Sequence, residues 1–479
     1  MRIPIKTNIT YTEAAATVIT IFGLTLFCHL VHYPLIIPLL LLFLGMHLFL
    51  LKRASYQLFL KLGLLLAIIV FAAHIFQQYS SFSALYIPVA SIAMLTMLLF
   101  NDLPLAFLMS FLTSALVGLI YGGDLELMLI FFLGNLAGTF TVRDARTRGK
   151  VISAGLYVGL IQIVCIIALH PDASFMLTKE FFLSYMRPLF LNGFISVFVV
   201  MATLKIFESV FGVLTNFSLL ELSDFNHPLL RRMILEAPGT YHHSLVVSNM
   251  AEAAADAIGA NSLLVRVGSY YHDIGKMEKS EYFTENQMID GNKHDNIEPN
   301  ISRLVILNHV KEGVELARKN NLNPRIIDFI LQHHGTSLMY YFYQKSLEEA
   351  EDAESVKEEN YRYPGPKPQS RETAIVLLAD SSEGACRSID EPNPRKIEDV
   401  VRKVINNKFI DGQLDECNLT LKEIELIALT FTRVLSAMYH SRVKYPEKKN
   451  GDSRNKKPAE ENPSQPRQDQ PDRQRDIES

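Results

Sequence analysis

The chain changes character near residue 212. Before it, long apolar runs follow one another with little between them; after it, charge returns and apolar positions recur at helical spacing. A membrane-crossing helix needs about 20 mostly apolar residues. The runs that qualify are 14–32, 34–51, 57–77, 83–100, 103–121, 124–142, 151–169 and 187–211. The first has no small-residue cleavage site before the next apolar run, so it reads as a retained span and not as a signal peptide. With about eight spans, Arg2 and Lys6, then Lys52 and Arg53, then the stretch RDARTRGK at 143–150 all fall on one side. The loops QQYSSF and YGGDLE on the other side are almost free of Lys and Arg. Cationic loops stay in the cytoplasm, so both termini and everything after 211 are expected there. His29, His32, His47 and His74 lie near predicted span ends, where an interfacial place explains them better than a function does.

Residues 212–240 read as a linker with loop character, since Pro238 and Gly239 punctuate it before a helix begins. From 241 to about 446 the pattern is helical, with no sustained alternation of strand type. The fold class expected is therefore all-α: a polytopic transmembrane domain over 1–211, then a cytoplasmic all-helical domain over 241–446. The segment 348–370, acidic and then proline-rich, reads as a surface loop, and the polar tail 447–479 has no apolar anchor and is expected to be disordered.

The helical stripes of the second half carry histidines. In 240–258, Val246, Val247, Met250, Ala251 and Ala254 form the buried face, and His243 extends it by one turn. His272 continues the stripe Leu264, Val267, Gly268, Tyr271. His309 lies on the apolar face of 300–318. Asn323 and Pro324 start a helix whose stripe ends at His333 and His334, just before Gly335. One histidine on an apolar face is usually a satisfied core residue; several aimed at one interior are costly unless something unites them. A metal centre does so, because imidazole ligates Fe, Mn, Zn and Co alike. Carboxylates complete the set: Asp273 adjoins His272, and Asp380 shares a helix face with Gly384 and Arg387. His242 is the rival of His243, but points about 100° away from the stripe.

Composition narrows the partners. A formal net charge of −4 over 479 residues gives no reason to expect a nucleic acid polymer. Cys28, Cys165, Cys386 and Cys417 show no zinc-type spacing and no disulfide framework, which suits a reducing compartment for the second half.

The order His243, His272-Asp273, His309, His333-His334, Asp380 resembles the metal-dependent HD phosphohydrolase superfamily, and HDIGK is typical of its HDIG branch. The stretches EAPGTYHHSLVVSNMAEAAADAIGAN, GSYYHDIGKMEKSEYFTENQ, YRYPGPKPQSRETAIVLLADSSEGACRS and DGQLDECNLTLKEI are similar to the seven-transmembrane HD-type proteins of bacteria that degrade cyclic di-AMP. The resemblance covers roughly 85–446. That family usually carries a large extracytoplasmic domain after its first span; here only HYP separates the first two apolar runs. Regulation is then expected through the spans or partners.

The resemblance implies a bacterial inner-membrane phosphodiesterase that cuts cyclic di-AMP to linear pApA with two divalent metal ions, iron or manganese. His243, His272, Asp273 and Asp380 would hold one metal, and His309, His333 and His334 the other, with Asp273 bridging. Asp273 and Lys276 are the candidate catalytic residues. Lys276, one turn past His272, and Arg387 are the candidate substrate-binding cations, Arg387 as a two-pronged clamp. The YPGPKP loop could wall a base pocket. Cyclic di-GMP or ppGpp as substrate, and a catalytically silent nucleotide receptor, stay open as alternatives, although the GYP signature of the cyclic-di-GMP branch is absent. The expected partners are the cyclic dinucleotide and the lipid bilayer, and a homo-oligomer is compatible with the sequence.

Overall fold

The computed structural model describes residues 44–45, 56–287, 293–350 and 356–439. The expected spans 14–32 and 34–51 and the tail 447–479 lie outside them, apart from a helical pair at 44–45. Among the described residues the protein is all-α, with two separate apolar cores.

The first core is a bundle of helices α1 (Tyr56–Tyr79), α2 (Ala90–Phe100), α3 (Leu103–Ile120), α4 (Leu125–Val142), α5 (Arg148–Leu169) and α6 (Arg187–Phe211). All but α2 are long and apolar enough to cross a membrane. They are apolar on their outward faces too: Phe71, Phe140, Val164 and Phe198 are each more than half exposed. That pattern suits lipid and not water, so the protein is a membrane protein. Helices α5 and α6 touch backbone to backbone. A Cβ on Gly193 would sit 1.9 Å from the Gly155 carbonyl oxygen, so only glycine allows that approach.

Two expectations change here. The run 83–100 is not one span. It opens with the 3-10 turn Ala84–Tyr86, and helix begins only at Ala90. Pro88 has no N–H and pushes Ile87 into extended backbone (φ −67, ψ 121). The freed carbonyls of Leu85 and Ile87 accept instead from the Asn192 side chain at 2.9 and 2.6 Å. The resulting α2, at about 16 Å, is too short to cross alone, and Ala90–Leu99 are all buried inside the bundle. The last span also starts early: Lys179–Phe181 and a π-helical turn, Phe182–Met186, lead into α6.

Residues 212–240 are not a loop. Gly212 ends α6 in left-handed backbone (φ 60). Then come α7 (Asn216–Leu222) and α8 (Pro228–Glu236). Buried Glu208 near the end of α6 accepts hydroxyl hydrogen bonds from Thr215, the α7 cap, and from Ser218 at 2.7 Å. Helices this short do not show a period in sequence.

The second core gathers α9 (Pro238–Ala257), α10 (Ser262–Tyr271), α11 (Pro299–Lys319), α12 (Pro324–Gln332), α14 (Arg371–Arg387), α15 (Pro394–Ile410) and α16 (Leu421–Met438), with α13 (Tyr340–Glu349) on its flank. Tyr271, Phe329, Leu377 and Phe431 are essentially fully buried in it. Asn323 caps α12 through Arg325 N at 3.0 Å, and Ser370 and Thr373 form a reciprocal capping box on α14. Part of the expected surface loop 348–370 is packed: Tyr361 is buried and its hydroxyl donates to Ser346 at 2.7 Å.

Candidate metal centre

Helix α10 stops at Tyr271, which donates to the Leu222 carbonyl at 2.8 Å. His272 and Asp273 follow at the break, before a 3-10 segment, Ile274–Tyr282. Gly275 makes that break fit. It needs no left-handed backbone, so it is not the turn residue its neighbours suggest. A Cβ there would lie 1.8 Å from the His309 carbonyl oxygen and 2.5 Å from Gly313 N. The glycine thus seats α11, and with it His309, beside Asp273.

All seven expected metal-site side chains converge, in two groups that share Asp273. His243, His272, Asp273 and Asp380 have their ligand atoms within 4.8 Å of one another, and so do Asp273, His309, His333 and His334. Asp273 divides between them. Its Oδ2 faces His272 Nε2 at 3.2 Å and His243 Nε2 at 3.6 Å; its Oδ1 faces His333 Nε2 at 3.3 Å and His309 Nε2 at 3.5 Å. Asp380 stands opposite, with Oδ1 3.1 Å from His243 Nε2 and Oδ2 3.4 Å from His334 Nδ1. His242 is exposed, and His294 turns its Nε2 to the Tyr282 carbonyl at 2.7 Å.

The imidazoles are oriented from behind. His272 Nδ1 meets the Ser269 carbonyl at 2.7 Å, His333 Nδ1 the Ile330 carbonyl at 2.9 Å, and His309 Nδ1 the Ile306 carbonyl. A carbonyl at Nδ1 requires the proton there, which leaves the Nε2 lone pair facing inward. At His243 the partner is a carboxylate, Glu383 Oε2, at 2.7 Å. The chemistry of this interior is unfinished within the protein alone. His272 Nε2 and Asp273 Oδ1 are buried without a hydrogen-bond partner, and Asp273 Oδ2 meets only the Lys276 ammonium. Inward lone pairs facing carboxylate oxygens call for a cation, and nitrogen with oxygen donors suits a divalent one. The residues present therefore fit divalent metal binding.

The charges around the centre are strongly perturbed. Burial lowers the His309 pKa to about 3 and puts that of His334 well below the ordinary value, so both are neutral and able to ligate. Asp273 is held well below the usual carboxylate range: burial opposes this, but the neighbouring His272 and Lys276 outweigh it. At His243 burial works against the proton, yet Asp380 and Glu383 raise its pKa to about 9. Without a metal cation the first group is thus closed by a proton on His243.

Lys276 ion-pairs with Asp273 Oδ2 at 2.6 Å and Glu285 Oε1 at 2.9 Å, and lies 5.1 Å from the centre of the Phe283 ring. Despite burial, those carboxylates keep it charged. Arg387 is not free: its guanidinium holds Glu383 at both oxygens and comes within 2.9 Å of His243 Nδ1. A cavity of about 410 Å³ opens over the first group, with Lys276, Asp380, Gly384 and Arg387 in its wall. A Cβ at Gly384 would meet nothing within 4 Å. Over the second group lies Tyr363, of the YPGPKP stretch, whose ring stacks on His334 at 4.2 Å.

Sequence reasoning missed Glu383, Glu285 and Lys408, and reached Tyr363 only as part of the YPGPKP loop. Lys408 donates to Ser337 Oγ at 2.6 Å, just beyond the paired histidines. In the same place Gln413 accepts from Thr336 N at 2.8 Å, and Asp411 pairs with Arg362 at 2.8 Å. The DGQLDECN stretch therefore pins the turn that follows His333 and His334.

The chain is similar to known membrane and HD-domain proteins. Residues 16–215 match the family model of a 7TM receptor with intracellular HD hydrolase, and residues 240–385 match that of the HD domain. The cyclic-di-AMP phosphodiesterase PgpH of Bacillus subtilis is 38% identical over 404 residues, which are 83% of this chain and 56% of that protein. The PgpH of Listeria monocytogenes is 43% identical over 321 residues, 67% of this chain and 44% of that one. The chain thus spans about half the length of these curated relatives. The crystal structure of the Listeria PgpH HD domain in complex with cyclic di-AMP is 50% identical, with a TM-score of 0.44, over 45% of this chain and 100% of that one. With its apolar bundle and its HDIG break, this chain joins a region that matches the 7TM family model to one that matches the HD-domain model.

Proposed function

We propose that the protein is a phosphodiesterase that hydrolyses cyclic di-AMP to linear pApA on the cytoplasmic face of a bacterial inner membrane. The observation that carries this is the division of Asp273 between two histidine groups, which supports a bridged pair of divalent cations, iron or manganese. His243, His272, Asp273 and Asp380 would hold one, and Asp273, His309, His333 and His334 the other. The relatives named for cyclic di-AMP supply the substrate. When bound, such a pair polarises a phosphodiester and makes water acidic enough to attack near neutral pH.

The chain's own residues do the rest. Lys276, kept charged, presents a fixed cation at the rim of the cavity over the first group, where a phosphate oxygen would lie. Glu383 and Arg387 hold the His243 ring. Arg387 keeps one side of its guanidinium toward the cavity, so it can meet a second phosphate while it orients His243. Water adds across one P–O3′ bond: its oxygen joins phosphorus, and its proton goes to the departing 3′ oxygen.

The test is chromatography of cyclic di-AMP, cyclic di-GMP and ppGpp after incubation with the full-length protein and Mn²⁺ or Fe²⁺. Conversion of cyclic di-AMP to pApA is expected. Cleavage of one of the others alone would leave only the phosphohydrolase class, and cleavage of none would favour a silent receptor.

A further inference from the structure

A second cavity lies at the end of the apolar bundle away from the HD helices. It measures about 630 Å³, within the usual range for small-molecule sites. Two of its walls are irregular backbone. One is the segment before α2, with Phe82 and Leu85; the other is the π-helical turn Phe182–Met186, with Tyr185. Short 3-10 and π-helical turns mark departures from regular α-helix, and π-turns concentrate at functional sites. The first wall is held by Asn192, whose side chain takes up the carbonyls of Leu85 and Ile87 beside the 3-10 turn.

The charges in this cavity are unevenly satisfied. Asp124 caps α4 through Leu127 N at 3.0 Å, and Glu126 pairs with His170 at 3.0 Å. Arg187 follows the π-turn directly, and its guanidinium shows no hydrogen bond or ion pair among the described residues. Both carboxylates have work; the guanidinium does not. Its planar fork matches a carboxylate or phosphate, and Phe82 and Tyr185 beside it offer rings to an apolar body.

We propose that this cavity binds a small molecule with a carboxylate or phosphate at one end and an apolar or aromatic body, gripped at its anionic end by Arg187. A free solute and the headgroup of an anionic lipid share that chemistry. The proposal does not depend on the hydrolase reading.

The chain has no tryptophan, so Phe82→Trp places a background-free fluorophore at the cavity. The full-length variant in phosphatidylcholine nanodiscs is titrated with benzoate and with inorganic phosphate, and a parallel sample contains discs doped with phosphatidylglycerol. Native mass spectrometry of the protein without the reporter follows retention of the same probes. A saturable response to a soluble anion, weakened roughly tenfold or more by Arg187→Gln and only partly restored by Arg187→Lys, supports the site with a free ligand. A response confined to the phosphatidylglycerol discs, with the same Arg187 dependence, supports it with a lipid headgroup. No response and no retention with any probe overturns the proposal. So does a response that Arg187→Gln leaves unchanged while the variant keeps the parent's elution profile and melting temperature.

Discussion

Glu383 Oε2 lies 2.7 Å from His243 Nδ1, and Arg387 holds both oxygens of the same carboxylate with its Nη2 within 2.9 Å of that ring nitrogen. The ring of His243 is thus fixed by a partner on α14, one turn beyond Asp380. Such a carboxylate sets the tautomer and raises the basicity of the inward nitrogen, and its loss typically costs 10–100-fold in metal affinity. Glu383→Ala should therefore weaken metal binding by about that factor, while Glu383→Gln, which still offers an oxygen to Nδ1–H, should weaken it less. Competition against a fluorescent chelator measures this directly. Equal affinity in Glu383→Ala and wild type would remove the positioning role.

The division of Asp273 between two groups predicts an asymmetry. Asp273→Ala removes an oxygen from both, whereas Asp380→Ala removes one only from the group around His243. Metal analysis of the purified protein should show most metal lost in the first variant and a smaller loss in the second, with circular dichroism unchanged in both. Identical stoichiometry in the two variants would contradict the bridging geometry.

These relationships differ in how legible they were. The seven candidate ligands are legible because each sits on, or just past, an apolar stripe, so the core that buries the stripe also buries the candidate. Glu383 is not, since it meets His243 across 140 positions and nothing local marks that contact. The spacing of Glu383 and Arg387, four apart on one helix, did carry a signal for their ion pair. It was outweighed by the attraction of Arg387 as a phosphate clamp. In the membrane region the break at Pro88 was visible in principle, but the surrounding run is so apolar that hydropathy alone joined it into one span. Helices α7 and α8 were too short to show a period.

Asn192, buried on α6, holds that broken run from outside it. Its amide is the partner of two buried carbonyls, Leu85 and Ile87. Asn192→Leu keeps the volume and removes both donors. The Ile87 carbonyl still accepts from Val89 N at 2.8 Å, but that of Leu85 is left unsatisfied, so the bundle should lose about 1–3 kcal/mol. Thermal unfolding of the full-length protein in detergent should show a clear drop in melting temperature. An unchanged midpoint would mean that water or a neighbouring group takes over the Leu85 carbonyl.

His243 gives the metal-free protein a pH dependence of known sign. Burial alone would lower its pKa, but Asp380 and Glu383 raise it from 6.5 to about 9. A group whose folded pKa is raised adds stability that is full below the unfolded value and disappears as pH climbs through the folded one. The native state holds the proton between about pH 6.5 and 9 when the unfolded chain has released it, so stability falls with rising pH across that window. The size is on the order of 3 kcal/mol. A metal cation competes with this proton for the same nitrogen, so loading should be favoured, and the loaded protein stabilised, as pH rises. Chelator-treated protein should therefore melt at a lower temperature at pH 9 than at pH 6.5, Mn²⁺-loaded protein should not, and His243→Gln should flatten the metal-free trend. A metal-free melting temperature that rises steadily over this range would show that the carboxylates do not hold a proton on His243.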